Sequence, residues 1–389
     1  MEGTHAGGIL NLVLRALRRL RLEFLRGCWP LLPCAALVLG FGILLQWSVD
    51  GAERVPPGHL LRIGLSLAVG VFAAVQGERR WRAQSWPFYL LCLLLLLTVL
   101  VLGREVNASR RWIHLPGGFT LQASEFMKVA LILVLARWFA EHPRPQRFAD
   151  LLYPGLIALV PMALILVEPD LGTSLTVLPI FFALCWLAGT PKRVLLPLLL
   201  APALLAPVAW PFIENYQKER VLTWWNQEHL TDQQKAAEGY HLWHSKIAIG
   251  TGGVSGFGWG KGPENRLDLL PERHNDFVFP VLAEEGGLVG SAVFLVLYSS
   301  LGFIALGWAA SRRDPFTRLL LAGCGIYFFV HLVINVGVTT GLWPTTGLPI
   351  PLVSQGGSSM MAAGLMLGVA WGAARARPPV FSDRDFADG

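Results

Sequence analysis

Apolar residues recur along the chain in blocks long enough to cross a lipid bilayer, and short polar segments separate them. The block Ser85–Leu102 is typical, because almost every position in it is apolar. About 20 such residues span the hydrocarbon core as one helix. The pattern therefore predicts an all-α polytopic membrane protein of about ten transmembrane helices. We expect these helices near residues 30–47, 60–76, 86–103, 122–140, 151–168, 172–189, 193–213, 279–308, 316–340 and 357–374.

Basic residues are abundant in every second segment that connects the predicted helices. Cytoplasmic loops are enriched in Lys and Arg, so we expect both termini in the cytoplasm, with tails 1–29 and 375–389. The opposite, outer face then receives a large loop, 214–278, between the seventh and eighth helices. The basic segments are the N-terminal tail, Arg79–Arg82, Arg137–Arg147, Lys192–Arg193, Arg312–Arg318 and Arg375–Arg377.

The composition excludes several classes of protein. Hydrophobic residues make up 53% of the 389 residues and charged residues 15%, whereas a soluble domain carries about 25% charged residues. The formal net charge is +6, and the basic residues lie in short runs between apolar blocks. Membrane topology explains this arrangement, which does not indicate a nucleic-acid partner. The five cysteines form no CxxC pair and are typical of packing residues. Without internal repeats or a cleavable signal, 1–389 is predicted to be a single membrane domain.

A glycine-rich run, Gly250–Pro263, closes the large outer loop. Backbone amides in such runs can hold phosphates. A Walker motif ending at Gly260-Lys261 would need Gly at position 255 and Ser or Thr at 262, but the chain has Ser255 and Gly262. Two interpretations stay open: a flexible loop that lies over the membrane surface, and a cradle for a diphosphate.

Charged residues also crowd the segment Leu269–Gly290, at the entrance to the predicted eighth helix. An acid there, beside apolar Phe277 and Phe279, could have a raised pKa and act as a general base, although a helix N-terminus also attracts acids. Glu284 and Glu285 lie deeper, where charge is costly, so we expect them to face the protein interior and find a partner. The residues at the entrance are Glu272, Arg273, His274 and Asp276.

Three further polar sets lie on the predicted outer face. In 108–128, Glu125 and Lys128 are three residues apart, so they either form a local ion pair or leave Lys128 to bind an anionic head group with Arg111. The hairpin 167–174 carries two acids, and 347–360 carries small polar residues that suit either helix capping or substrate contact. Convergence of all four sets on one site is the simplest interpretation.

Together these segments resemble the SEDS family, and its RodA branch more closely than its division branch FtsW. The motifs are long, ordered and spread over nearly the whole chain. They read RWI, GGFTLQ and SEFMK within Arg111–Lys128, EPDLGTS at Glu168–Ser174, SKIAIGTGG within Ser245–Gly262, LPERH and DF within Leu270–Gly287, and PLVS and GGSSM within Pro351–Met360.

The resemblance implies a peptidoglycan glycosyltransferase that polymerises lipid II at the outer face of the bacterial inner membrane during elongation and rod-shape maintenance. It implies a class B penicillin-binding protein as transpeptidase partner, along with other membrane proteins of the elongation complex. Asp276 matches the family's essential aspartate and becomes the expected general base. The expected substrate-binding residues are Arg111, Trp112, Glu125, Lys128, Glu168, Asp170, Lys246, Arg273, His274, Ser354 and Ser358.

The motifs imply no certain cofactor. The departing diphosphate needs positive charge, and the candidates to supply it are Arg111, Lys128 or a divalent cation, Mg or Mn. The chain departs from the usual motifs at three positions, with Ala123 for Pro, Asn275 for Thr and Gln355 for Tyr. None of these changes removes an ionisable group that the chemistry needs.

Three other functions remain open at this point: a flippase or transporter for lipid-linked precursors, a division-type polymerase like FtsW, and a scaffold for a partner enzyme. Transporters place charges near the bilayer midplane. Here the charges gather on the outer side, which favours chemistry at that surface.

Overall fold

The computed structural model describes residues 30–50, 55, 57–106, 109–115, 119–212, 214–237 and 239–375. The predicted N-terminal tail, with Cys28, and nearly all of the predicted C-terminal tail lie outside these residues. The described chain is mostly helical. Its helices are α1 (Leu31–Val49), α2 (Pro57–Leu102), α3 (Ala123–Glu141), α4 (Leu152–Val167), α5 (Leu171–Leu187), α6 (Lys192–Ala209), α7 (Asn215–Trp225), α8 (Asp232–Ala236), α9 (Tyr240–Thr251), α10 (Pro263–Arg266), α11 (Val278–Ala310), α12 (Pro315–Thr339) and α13 (Gly357–Ala374).

Within the described chain, six helical segments are long and apolar enough to cross a membrane. The chain is thus a multi-pass membrane protein, while the count of ten helices and the side of each terminus stay predictions. The six segments are Leu31–Val49, Pro57–Val101, Phe148–Val167, Val278–Ala310, Pro315–Thr339 and Gly357–Ala374.

The helix α2 contains two of the predicted spans, joined by a sharp break at Gly77. Gly77 has φ 71° and ψ 171°, a conformation that favours glycine. The indole Nε1 of Trp81 donates to the carbonyl of Ala73 at 2.9 Å. Eight residues of unbroken helix would separate these groups by about 12 Å, so the chain changes direction here.

Small residues allow α13 to pack tightly against the first half of α2. The Ser66 hydroxyl donates to the carbonyl of Met360 at 2.6 Å. A Cβ added at Gly364 would lie 2.3 Å from the Ser66 carbonyl oxygen, and one at Gly368 would lie 2.1 Å from that of Gly70. Glycine every fourth position lets two membrane helices approach at backbone distance. The start of α13 is thereby held firmly in place.

The glycine-rich run packs into a second helix break, at Gly287 of α11, where φ is 61°. The Leu288 N–H donates to the Gly253 carbonyl at 2.9 Å, and the Gly258 N–H donates to the Glu285 carbonyl at 2.9 Å. A broken membrane helix needs such partners for its freed backbone groups. The interpretation of the run as a flexible loop over the membrane surface is therefore wrong, because the run pairs with α11.

The prediction of an all-α protein is wrong between α2 and α3. Three short antiparallel strands form there, β1 (Arg104–Val106), β2 (Ser109–Leu115) and β3 (Phe119–Leu121), in the order β1-β2-β3. Their register pairs Arg104 with Trp112 and Ile113 with Leu121. Residues 116–118, Pro-Gly-Gly in the sequence, are a hairpin signal. β1 and β3 have only three residues each, too few for hydrophobic alternation to reveal them, and the seven residues of β2, SRRWIHL, do not alternate regularly.

The large loop has internal structure, as its length predicted, because α7 to α10 lie within it. The deep acids of α11 anchor it: the Glu284 carboxylate accepts from the backbone N–H groups of Glu264 at 2.7 Å and Asn265 at 3.2 Å. The Glu285 carboxylate accepts from the Asn265 side-chain amide at 2.9 Å and from the Ser48 hydroxyl. Both acids are buried. The expectation that they face inward and find partners is confirmed.

Candidate functional site

A polar cavity of about 690 Å³ lies where the four polar sets meet. The sheet contributes β2 and β3, α2 contributes one side chain near its start, α3 and α5 contribute their first turns, and α7 contributes one face. The segments 272–276 and 346–359 form the remaining wall. The convergence expected from the sequence is confirmed. The predicted site residues that line the cavity are Arg111, Trp112, Glu125, Asp170, Asp276 and Ser358.

A tight turn before α11 positions Asp276. Glu272 has φ 49°, and its carbonyl accepts the N–H groups of Asn275 at 2.9 Å, Asp276 at 3.1 Å and Phe277 at 3.2 Å. The Asn335 amide donates to the Asp276 carbonyl at 2.8 Å. The backbone is thus held from two sides, and the Asp276 carboxyl, on the cavity wall, makes no hydrogen bond to the described residues. It is left to meet a ligand.

The surroundings of Asp276 raise its pKa to about 7. Burial is the largest cause, the negative charges of Glu272 and Asp170 add to it, and the positive charges of Arg220 and Arg111 oppose it. A carboxyl that titrates near neutral pH is divided between its two protonation states under working conditions. That division suits a general base.

Part of the Arg111 guanidinium is hydrogen-bonded to the neighbouring hairpin, 167–174. Its Nε donates to the Glu168 carbonyl at 3.2 Å and its Nη2 to the Pro169 carbonyl. The Tyr216 hydroxyl also donates to the Pro169 carbonyl, at 3.0 Å. Arg111 therefore fixes the hairpin and turns only its remaining N–H groups to the cavity.

The two hairpin acids have different surroundings. Asp170 lines the cavity and caps α5, accepting from the Thr173 N–H at 3.1 Å and from the Gln122 side chain at 2.9 Å. The Glu168 carboxyl lies behind the wall, fully buried, with no partner among the described residues. Burial and the charge of Asp170 raise the pKa of Glu168 to about 8, against the effect of Arg111. Glu168 is therefore largely protonated at neutral pH.

Lys128 is enclosed between two side chains and does not line the cavity. Its Nζ lies 2.7 Å from Glu125 Oε1 and 2.7 Å from His331 Nε2. The other ring nitrogen of His331 lies 2.8 Å from the Tyr327 carbonyl, which can only accept, so Nε2 accepts from Lys128. The local ion-pair interpretation is confirmed. Lys128 has no ammonium hydrogen turned to a substrate in this arrangement.

Besides Lys128 and Glu168, four more predicted binding residues lie outside the cavity wall, and their contact with substrate stays a prediction. Lys246 donates to Gln227 at 3.1 Å on the outer loop, and Arg273 pairs with Asp268 at 3.1 Å. Ser354 donates to the Asn275 carbonyl at 2.6 Å. His274, whose pKa is lowered mainly by burial, lies 3.3 Å from the Gln355 side-chain amide. All four brace the turn that carries Asp276 or the loop above it.

Sequence reasoning missed two arginines that line the cavity, Arg62 and Arg220. Arg62 stands alone in the apolar first half of α2, which is itself a signal of function in a membrane helix. Arg220 lies on α7, donates to the Thr345 carbonyl at 3.3 Å and sits 5.8 Å from the Tyr216 ring. The polar stretch 214–237 gave no means of telling which face of α7 meets the cavity.

A metal site does not emerge from the described chain, in which no three His, Cys, Asp or Glu side chains cluster around a point. The divalent cation stays a prediction. Charge balance for an anion in this cavity can come from arginines alone.

Comparison with known proteins identifies the family. The FtsW/RodA/SpoVE family model, described as "Cell cycle protein", matches residues 31–377. The chain belongs to this family. Curated relatives in it are named peptidoglycan glycosyltransferases, so the chain is a member of the SEDS family of glycosyltransferases.

Relatives from both branches of the SEDS family are similar to the chain. "Peptidoglycan glycosyltransferase MrdB" of Escherichia coli K12 is 33% identical over 326 residues, 83% of this chain and 87% of that protein. "Probable peptidoglycan glycosyltransferase FtsW" of Halothiobacillus neapolitanus is 34% identical over 356 residues, 87% of this chain and 84% of that protein. These near-equal identities leave the choice between RodA and FtsW open.

Solved SEDS structures share the fold. A structure described as "Structural coordination of polymerization and crosslinking by a peptidoglycan synthase complex" has a TM-score of 0.74 at 33% identity, covering 89% of this chain and 97% of that one. The rod shape determining protein RodA of Thermus thermophilus has a TM-score of 0.66 at 30% identity, covering 89% and 96%.

Proposed function

We propose that the chain polymerises lipid II into glycan strands at the outer face of the inner membrane, with Asp276 as the general base. The observation that carries this proposal is a carboxyl with a pKa of about 7 in a polar cavity, with Arg111 and Arg220 near enough to oppose that shift. The positive-inside pattern supports an outward-facing cavity. The family supports sugar transfer as the reaction.

In the proposed step, Asp276 accepts the proton of the acceptor's GlcNAc 4-hydroxyl as that oxygen attacks the anomeric carbon of the donor's MurNAc. The new C–O bond forms while the bond from that carbon to the diphosphate oxygen breaks. The bond electrons leave with polyprenyl diphosphate, and the anomeric centre inverts. A general base contributes about 10²–10⁴-fold to such a step.

The departing diphosphate needs positive charge on the opposite side of the reacting carbon. Lys128 is already paired with Glu125 and His331, so we assign this role to Arg220 together with the free N–H groups of Arg111. Arginine suits the role because its planar fork can bind two phosphate oxygens at once.

We propose a class B penicillin-binding protein as the partner. One similar structure concerns a peptidoglycan synthase complex that coordinates polymerisation and crosslinking. The wording of SKIAIG and LPERH in this chain favours the RodA branch, and with it elongation and rod shape, over division.

The test is polymerisation of labelled lipid II by the purified protein with its partner, whose transpeptidase is blocked. Asp276→Asn should lose at least 100-fold in initial rate. The matched control is Asp232→Asn, the same change in the same outer loop. The Asp232 side chain is 100% exposed, and this residue lies outside the cavity wall, so we expect the rate of this variant to stay within twofold of wild type.

Two outcomes would contradict the proposal. Near-normal chains from Asp276→Asn would remove Asp276 as the base. No chains from wild type, with translocation of lipid II across vesicles intact, would favour a flippase.

A further inference from the structure

The first turn of α13 turns unpaired backbone N–H groups toward the cavity. Gly356 precedes the helix and has no side chain to cap it. In the described chain, the N–H groups of Gly357, Ser358 and Ser359 have no acceptor, and all three residues line the cavity. The N-terminus of an 18-residue helix with free N–H groups attracts anions.

Ser359 is a second, independent sign of a ligand at this place. It is only 4% exposed and lines the cavity, yet its hydroxyl has no partner among the described residues. The neighbouring Ser358 hydroxyl is engaged both as donor and as acceptor, since it donates to the Thr120 carbonyl at 3.0 Å and accepts from the Gln122 N–H at 2.8 Å. A buried hydroxyl without a partner, in a residue that lines a cavity, is suited to bind what enters that cavity.

Arg62 supplies the charge beside this turn. Its Nη1 donates to the Gln355 carbonyl at 2.8 Å, and a Cβ added at Gly357 would lie 3.6 Å from Arg62 Cδ and Nε. The guanidinium therefore lies against the helix start, with further N–H groups available. Free backbone amides, a hydroxyl and a guanidinium together match the oxygens of a phosphate.

This cluster is separate from the arginines that act on the base. The positive charges that lower the pKa of Asp276 are those of Arg220 and Arg111, and Arg62 is not among them. Arg62 instead lines the part of the wall formed by the segment 355–359.

We propose that the first turn of α13, with Arg62 and Ser359, binds the diphosphate of the acceptor substrate, while Arg111 and Arg220 bind that of the donor. The assignment rests on the proposed function, in which two diphosphate-linked sugars must meet in one cavity. The acceptor's reacting 4-hydroxyl and its diphosphate lie at opposite ends of the disaccharide. When that hydroxyl meets Asp276, its diphosphate must therefore lie away from the Asp276 end.

The test counts the undecaprenyl diphosphate molecules bound to the Asp276→Asn protein by native mass spectrometry, which needs no turnover. The parent should bind two molecules. Adding Arg62→Gln or Arg220→Gln should remove one each, with at least tenfold weaker binding of that molecule, and adding both should remove both. Arg80→Gln is the control, because Arg80 lies on α2 but is exposed and bonded to Gln76.

Three further variants and two competing molecules make the result specific. Gly357→Ala retains Arg62 but covers the N–H groups, so it should weaken binding of the Arg62-dependent molecule at least fivefold. In the control Gly64→Ala the added Cβ meets nothing within 4 Å, and binding should not change. Arg62→Lys should recover part of the binding. Inorganic pyrophosphate should compete with the Arg62-dependent molecule, and undecaprenol should not replace it.

Retention of both undecaprenyl diphosphate molecules by Arg62→Gln would overturn the inference. Arg62-dependent binding of undecaprenol would also overturn it, because the lipid tail and not the diphosphate would then be recognised. The polymerisation assay fails or succeeds independently. A wild type without polymerase activity but with Arg62-dependent diphosphate binding would defeat the proposed function and leave the phosphate site standing.

Discussion

Asp276 and Glu272 share one turn but differ in their surroundings. Asp276 lies on the cavity wall with a pKa raised to about 7, and the Glu272 charge is the second largest cause of that rise. A base works only when it is deprotonated, so the polymerisation rate should increase with pH through about 7. Glu272→Gln removes a nearby negative charge, so the midpoint should move to lower pH. The measurement is the pH dependence of kcat/KM for lipid II, which reports the pKa of the substrate-free protein.

The control for this shift is Asp232→Asn, which removes a negative charge from the same outer loop that is not among those acting on Asp276. Its profile should match that of wild type. A midpoint that stays in place in Glu272→Gln would mean that a group other than Asp276 sets the profile.

Arg220 should matter both to the rate and to the pH profile. Arg220→Gln removes a donor for the leaving diphosphate, and loss of one such donor costs about 10²-fold in rate. It also removes a positive charge that lowers the pKa of Asp276, so the midpoint should move to higher pH. Lys218, on the same helix, donates to the Pro211 carbonyl outside the cavity. Lys218→Gln should therefore change neither the rate nor the midpoint. A rate for Arg220→Gln equal to that of Lys218→Gln would refute the assignment.

The buried pair Glu125 and Lys128 predicts a strongly non-additive result. Lys128→Met leaves the Glu125 carboxylate buried without its cation, which costs about 3–5 kcal/mol of stability. Adding Glu125→Gln should recover most of the lost thermal stability, because no unpaired charge remains. Thermal unfolding in detergent of the two single variants and the double variant measures this coupling. Additive losses would show that the pair does not act as one unit.

Among the small polar residues, sequence could name the segment 347–360 but not the group that faces a ligand. Ser354 and Ser358 were the expected contacts, yet both hydroxyls bond to backbone groups. Ser359 has the unpartnered hydroxyl instead. Which of three neighbouring serines is free depends on strands and turns far away in the chain, and this information is absent from the local pattern.

At the scale of elements, glycine explains the breaks in α2 and α11. Gly256 has φ 72°, and a Cβ added there would lie 2.1 Å from the Glu285 carbonyl oxygen. Gly256→Ala should therefore lower the thermal unfolding temperature, because the run can no longer pair with the break at Gly287. Gly290→Ala on α11 meets nothing within 4 Å and should leave that temperature unchanged or raise it, since Ala favours a helix by about 1 kcal/mol over Gly.

Equal unfolding temperatures for Gly256→Ala and Gly290→Ala would contradict the close pairing of the run with α11. The sequence predicted most helices correctly because apolar blocks are long and regular. It could not predict the pairing of the run with α11, since glycine runs are compatible with both mobile loops and close backbone packing.

At the scale of the whole molecule, the topology gathers the outer polar sets into one cavity. Sequence could anticipate this convergence, because the positive-inside pattern assigned all four sets to one face. It missed Arg62, although an arginine in an apolar helix is a signal of function. It could not anticipate Arg220, because the pattern of the large loop does not show which face of α7 meets the cavity. The proposed division of the cavity into a base, a leaving-group side and an anion-binding helix start depends on contacts that only the three-dimensional structure supplies.

The proposed polymerisation requires two lipid-linked sugars to meet at Asp276. The most direct measurement is a cryo-EM structure of Asp276→Asn in a lipid nanodisc with lipid II. We predict a sugar hydroxyl within hydrogen-bonding distance of the side chain at position 276, with one diphosphate near Arg220 and another near Arg62. Lipid II bound outside this cavity, or with its sugars away from position 276, would contradict the proposed role of Asp276 as the general base.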